Sequence, residues 1–384
     1  MSDGPRRVVS PEEMGLQPER WEKVLSFAKS LTDQDVLPTL SFQVVRPDRA
    51  TDVFSFGTRS LGESKPIDER TLFLVASLTK PMVAMAILML VERGELALND
   101  RVMKILPEFK EGPKKTVTIR HLLTHTSGLP DMLPNNQELR MSQSPLSAFV
   151  EGTYKVPLDY SPGKGTQYQS MGYSLLAPII EAVAGESYQQ FMRLEVFEPL
   201  GMMDTWLGVP EDFPGLDRIA EVEVPEPQQG GTDWNWNSRY WRQLGAPWGG
   251  AITTTADVSR FCQCMLNHGT PLWSAATVRE ATSNRLGDFP SISSQDRDAR
   301  GWGFGWRMNW KEQRGAFCDL LPPHAYGHWG ATGTLCWIDP GRKIAAVLLA
   351  TRSIDREVSP LVKLSNMIVS SFADGEIPSI RSRS

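Results

Sequence analysis

The chain has 384 residues, 41% of them hydrophobic and 22% charged, with a formal net charge of −5. These proportions are ordinary for a globular protein with a large core, and no basic run offers a footprint for nucleic acid. The longest apolar stretch, Pro81 to Val91, is too short to cross a bilayer, so no membrane association is expected. The first residues, MSDGPRRVVSPEEMG, lack the apolar run of a signal peptide, so a cytoplasmic location is expected. Cys262, Cys264, Cys318 and Cys336 are too few for a disulfide framework in so long a chain. Cys262 and Cys264 have no partner pair at zinc spacing, and all four are read as reduced core residues.

Taken in chain order, residues 17–30 show helical periodicity with charges on one side. TLSFQVV and VFSFG, around the turn PDRATD, read as two strands over residues 38–57. An apolar helix follows over 78–93, then a loop with a short amphipathic piece, GELALNDRVMKILPEF. TIRHLLTHTSGLPD reads as a short helix with a Gly-Leu-Pro stop. Two or three helices are expected over 134–200, including LLAPIIEAVAG and SYQQFMRLEVFEPLG. Residues 208–248 are irregular, and 253–267 are helical. The chain then returns to strand in GWGFGWRM, HAYGHWGATGTLCWIDPG and KIAAVLLATR, the last two joined by the turn signal DPGRK. A final helix covers roughly 355–373. Strands at both ends and helices between them predict one sheet assembled from both termini. The subdomains are then an α/β unit from 1–95 with 250–384 and a helical unit over 96–249, in a single domain of 1–384.

One feature conflicts with simple burial. Lys80 stands at the head of the helix 78–93, whose faces are all apolar, and such a helix is buried. Pro81 is tolerated only in a first turn, so the helix begins near Ser77. The ammonium therefore meets the positive end of the helix dipole as well as desolvation, and both lower its pKa. A lysine so placed can be a neutral amine near pH 7 and act as a base. Ser77 lies three residues earlier, on the same face, and its backbone N–H points out of the helix start toward a place for an oxyanion. Ser-x-x-Lys occurs three times in the chain. Ser26–Lys29 lies on an amphipathic helix and Ser161–Lys164 in a Pro-Gly turn; only Ser77–Lys80 heads a buried helix. The plainer reading is an N-cap serine and a snorkelling lysine.

With SLTK in this setting, the chain resembles the serine β-lactamase-related hydrolases, which include class C β-lactamases, D-amino-acid peptidases and a branch of carboxylesterases and acyltransferases. TIRHLLTHTSGLP, SPGKGTQYQSMGYSLLAPIIEAVAG, WGGAITTTADVSRFCQCMLN and GHWGATGTLCWIDP resemble further segments, in the family's order, over roughly residues 10–370. The resemblance implies a β-lactamase/transpeptidase-like α/β (α+β) fold, with an antiparallel sheet flanked by helices and an all-helical subdomain. It implies Ser77 as nucleophile, Lys80 as its base partner and Tyr168 as a proton shuttle, and leaves open which of Lys80 and Tyr168 takes the first proton. His328-Trp329-Gly330 falls at the third motif, with Ala331 supplying the second oxyanion N–H beside that of Ser77 and Gly330 allowing close approach of substrate.

Two departures point away from β-lactams and peptidoglycan stems. Ser170 stands where the family's Tyr-x-Asn has its carboxamide, and His328 stands where Lys-Thr-Gly has its lysine. Histidine, mostly neutral at pH 7, anchors a substrate carboxylate poorly. The expected reaction is acyl transfer through Ser77 on small carboxylic esters, with D-amino-acid peptidase or amidase, acyltransferase and weak β-lactamase activity as alternatives. No metal or cofactor is expected, and the oligomeric state stays open. An inactive relative used as a ligand-binding module would be expected to lack Ser77, Lys80 or Tyr168, and all three are present. His121 and His125 stand at i, i+4, but Leu122 occupies the place of a zinc protease's glutamate, so both read as structural. The Trp-rich segment 232–250 reads as a pinned surface loop or as a substrate wall, with Trp234, Trp236 and Trp241 the candidate contacts and Trp329 a further one.

Overall fold

The computed structural model describes residues 7–313, 316–353 and 359–373. Helix α1 (Pro18–Asp33) starts on a proline in its first turn and buries Trp21, Val24, Ala28 and Leu31, one stripe of the periodic pattern. Strands β1 (Thr39–Val45) and β2 (Phe54–Ser60) follow, then helix α2 (Thr79–Glu92), in which every residue from Thr79 to Leu90 is buried. Helix α3 (Thr255–Leu266) is capped by the Thr254 hydroxyl, which accepts from the Asp257 backbone N–H. Strands β3 (Tyr326–Gly330), β4 (Thr334–Asp339) and β5 (Ile344–Ala350) and helix α4 (Pro360–Ser370) complete the frame.

The strands lie in the order β2-β1-β5-β4-β3, and every neighbouring pair is antiparallel. The two ends of the chain meet where β1 pairs with β5, Phe42 opposite Leu348. Two-residue strands extend the sheet at its margins, Arg307–Met308 beside β3 among them. Both faces of the sheet are covered. Leu40, Phe42, Trp337, Ala346 and Leu348 pack with Trp21 of α1 and Leu364 of α4. Val45, Ile338, Val347 and Leu349 pack with α2 and with Phe261 of α3. A strand buried on both faces needs apolar residues at every position, which is why β5 reads IAAVLLA without alternation. Between residues 102 and 244 run short helices, among them Ile119–Leu123, Leu146–Lys155 and Leu176–Ala184, whose apolar residues join the core around α2.

The structure departs from the sequence pattern in places. GWGFGWRM yields strand only at Arg307–Met308, because Gly305 takes φ +79° and Gly303 lies against the Ala281 carbonyl, where no Cβ fits. HAYGHWGATGTLCWIDPG is itself a hairpin, turned at 331–333 with Gly333 at φ +88°. The last helix begins at Pro360, and residues 355–358 of the expected span lie outside the described residues. Among the described residues no helix is long and apolar enough to cross a membrane.

The Trp337 indole N–H donates to Ser365 Oγ at 3.0 Å between β4 and α4, with both residues buried. Ser365→Ala leaves that N–H without an acceptor and is expected to cost about 1–3 kcal/mol. Urea unfolding checks this; an unchanged midpoint would show that the indole has another acceptor.

Candidate active site

A short strand, Phe73–Leu74, leads into a single 3-10 turn at Ala76–Leu78 that opens α2. Ala76 holds φ +46°, a left-handed conformation costing a residue with a Cβ about 1–3 kcal/mol. Its surroundings fix it. Thr79 Oγ1 donates to Ala76 O at 2.7 Å and accepts from Ala251 N at 3.0 Å, and Val75 N donates to Ala251 O at 3.0 Å. On the other side, Thr332 Oγ1 donates to Leu74 O at 2.6 Å and Thr334 Oγ1 to Val75 O at 2.9 Å. Gly330 lies against Val75 O, Thr334 Oγ1 and Ala76 Cβ, so a side chain there would push the β3–β4 hairpin off the turn. Its glycine serves the approach of β3 to the Ser77 segment, and the hairpin turn carrying Ala331 is thereby held beside Ser77.

Lys80 is fully buried. Its Nζ lies 3.1 Å from Ser77 Oγ and donates to Trp248 O at 2.8 Å. Tyr168 Oη donates to Ser77 Oγ at 2.8 Å, and the Lys80 amine sits 4.7 Å from the centre of the Tyr168 ring. Burial lowers the Lys80 pKa from 10.5 to about 7, against the opposing pull of the Asp131 charge. Near neutrality the amine is therefore free of its extra proton in a large fraction of molecules. One N–H is committed to Trp248 O, and its lone pair can face the serine hydroxyl.

Tyr168 is held by rings. His125 lies 4.9 Å away, Trp302 stacks at 5.8 Å and His328 of β3 sits at 6.0 Å, all between centroids. His125 is buried at φ +58°, and its Nδ1 accepts from the Gln169 backbone N–H at 3.2 Å. Burial, then the charges of Lys80, His328 and Arg307, push its pKa well below the ordinary value, so it is a neutral brace. His121 closes a capping box with Thr118, and burial lowers it to about 4. Among the described residues no three His, Cys, Asp or Glu side chains are placed to hold a metal ion.

The other sequence candidates are distributed as follows. Ser170 is 2% exposed, and its hydroxyl donates to Asp131 Oδ1 at 2.7 Å. His328 is buried, with Nδ1 2.7 Å from Trp329 O. Trp329, next along β3, packs near Phe317 and under the Arg307 guanidinium at 3.8 Å. Trp234 and Trp241 are buried around Arg140, whose guanidinium stands 5.2 and 4.4 Å from their rings and donates to Gln228 Oε1 at 2.8 Å. Trp236 packs half-buried against the main core. That segment is thus pinned by an arginine clamp. Sequence reasoning passed over Asp131, Trp248, Trp302 and Arg307. Asp131 directly follows the Gly-Leu-Pro of a quoted segment, which was the one available signal.

The buried amine carries a stability cost whose sign follows from its pKa. Below about pH 7 the folded and unfolded chains both hold the proton, and the folded state bears the whole desolvation cost. Between about pH 7 and 10.5 only the unfolded chain holds it, so stability rises with pH through that window. Lys80→Met is expected to be the more stable protein below pH 7, by about 3–5 kcal/mol less the lost hydrogen bonds, with the gap closing toward pH 10. Calorimetric melting across pH checks this; a gap that ignores pH would remove Lys80 as the titrating group.

The chain matches the family model described as Beta-lactamase over residues 26–361. It is 31% identical over 328 residues to esterase EstB of Burkholderia gladioli, covering 77% of this chain and 81% of that protein. It is 39% identical over 158 residues to a penicillin-binding protein of Bacillus subtilis (strain 168), a match spanning 39% of this chain and only 34% of that relative. A penicillin-binding protein homologue from Caulobacter crescentus superposes with a TM-score of 0.76 at 21% identity, over 93% of this chain and 99% of that one. With a family match over most of its length, a mixed sheet flanked by helices and a curated relative above 30% identity, the chain belongs to the beta-lactamase family and is a serine hydrolase.

Proposed function

We propose that the protein hydrolyses small carboxylic esters through an acyl-enzyme on Ser77. The observation that carries this reading is the placement of Ser77 Oγ between the Lys80 amine at 3.1 Å and the Tyr168 hydroxyl at 2.8 Å. Tyr168 keeps its own proton while donating to Ser77, so the acceptor of the serine proton is the lone pair of neutral Lys80. Ser77 Oγ bonds to the ester carbonyl carbon, and the oxyanion lies against the backbone N–H groups of Ser77 and Ala331. The carbon–alkoxide bond then breaks. Tyr168 gives its proton to the departing alkoxide and recovers one from the Lys80 ammonium. Water releases the acid by the same path in reverse.

The preference for esters draws support from the EstB relative and from two side chains. Ser170 presents a hydroxyl already engaged by Asp131, in place of a carboxamide that would hold an amide. His328, buried, gives no lysine ammonium for a substrate carboxylate. A D-amino-acid peptidase or amidase is the second reading, supported by a 25% identical relative described as a putative D-alanyl-D-alanine carboxypeptidase. A cytoplasmic setting is part of the proposal, in keeping with four buried cysteines.

The test is hydrolysis of a short-chain nitrophenyl ester by wild type and Ser77→Ala, with a chromogenic cephalosporin in parallel. Ester turnover is expected to fall at least a thousandfold in Ser77→Ala, with little cephalosporin turnover by either protein. Turnover that survives in Ser77→Ala overturns the assignment, and dominant cephalosporin turnover overturns the ester preference. In the wild type kcat/KM should fall about tenfold per pH unit below about 7, as Lys80 takes up its proton. A profile flat through that range would exclude Lys80 as the base.

A further inference from the structure

Asp131 is a half-buried carboxylate at the mouth of the second motif. It is tied to Ser170 twice: its Oδ1 accepts from Ser170 Oγ at 2.7 Å, and its backbone oxygen accepts from Ser170 N at 3.2 Å. Ser170 stands two residues from Tyr168, whose hydroxyl touches Ser77, and the Asp131 charge is felt at Lys80. Asp131 is thus held by Ser170, two residues from Tyr168, rather than on a freely moving side chain. Among the described residues its second oxygen, Oδ2, accepts no hydrogen bond, and no arginine, lysine or histidine forms an ion pair with Asp131. The Lys80 amine feels the Asp131 charge, and burial lowers its pKa to about 7, so near neutrality only part of the molecules carry an ammonium there. Arg307 and His328 are engaged elsewhere, the first over Trp329 and the second with the Trp329 carbonyl.

A carboxylate partly removed from water, held in place and without an ion-pair partner among the described residues attracts a cationic donor from solution. Resting on the ester-hydrolase reading above, we propose that Asp131 is a specificity residue that binds a protonated amine of the substrate, so that the preferred substrates are amino esters. The pair Ser170–Asp131 thereby replaces a neutral, amide-holding side chain by an anionic one. The protonated amine donates to Oδ2 while Ser170 keeps Oδ1 in place, and the scissile carbonyl is delivered to Ser77.

Two matched pairs of substrates test this at pH 7 by pH-stat. Alanine methyl ester against N-acetylalanine methyl ester places the charge on the acyl side. 2-(Dimethylamino)ethyl acetate against butyl acetate places it on the leaving-group side. The readout is the ratio of kcat/KM for the charged member to that for the neutral member, in wild type, Asp131→Asn and Ser77→Ala. A general change in reactivity, including one relayed through Lys80, cancels in the ratio. The wild-type ratio is expected to exceed one in at least one pair and to shrink with added salt. Asp131→Asn, which keeps an acceptor for Ser170, is expected to lower it about 10- to 100-fold. An unchanged ratio in Asp131→Asn overturns the proposal. A wild-type ratio at or below one in both pairs also overturns it, whether or not the variant folds. Either failure, with turnover still abolished in Ser77→Ala, leaves the ester-hydrolase reading intact; turnover surviving in Ser77→Ala would remove that reading first.

Discussion

The site depends on a single electrostatic constraint, an amine kept dry. A lysine with no access to water, at the positive end of a helix and under aromatic rings, gives up its proton near neutrality. Everything around it either keeps water out or gives the amine one fixed orientation. α2 is apolar on every face and keeps solvent from Nζ, while Trp248 O and Ser77 Oγ fix the direction of the amine. The same burial that lowers the lysine pKa makes the fold less stable than an apolar residue would.

The rest of the architecture acts as a clamp on one strained turn. Ala76 is held at positive φ from two sides, by Thr79 with the strand Ala251–Thr253 and by the hydroxyls of Thr332 and Thr334. β3 and β4 come from near the C-terminus and α2 from near the N-terminus, so the Ser77 segment is a junction between distant parts of the chain. Pairing β1 with β5 at the centre of the sheet makes that junction possible.

Ser77 and Lys80 were legible because their relation is local: three residues on a helix face, with an apolar run and Pro81 to show that the face is buried. Tyr168 and the third motif were legible only through resemblance, since no periodicity links them to Ser77. The strands of the central sheet were legible from their apolar runs. What escaped was tertiary. Trp248 O reaches Lys80 from 168 positions away, and nothing in a backbone carbonyl's sequence announces it. The tryptophans of 232–250 were ambiguous because a tryptophan packed on a buried arginine and one lining a pocket leave the same letters; the partner, Arg140, lies nearly a hundred residues upstream. Gly330 was read as room for substrate, whereas the room is taken by Val75 and Ala76. Asp131 escaped because its link to Ser170 spans 39 positions.

The two-faced burial of β5 has a consequence for how the chain finds its register. In a sheet with one wet face, a slip by one residue turns apolar side chains into water and is rejected at once. Along Ile344–Ala350 both faces are dry, and neighbouring side chains differ little in polarity, so hydrophobicity alone distinguishes a slipped pairing weakly. The discrimination falls to the turn before β5. There Asp339, buried at the end of β4, accepts from Gly341 N at 3.0 Å and Arg342 N at 3.2 Å and fixes where β5 starts. A carboxylate far along the chain from Ser77 thus helps to decide whether the strands beside Ser77 arrive in the right alignment.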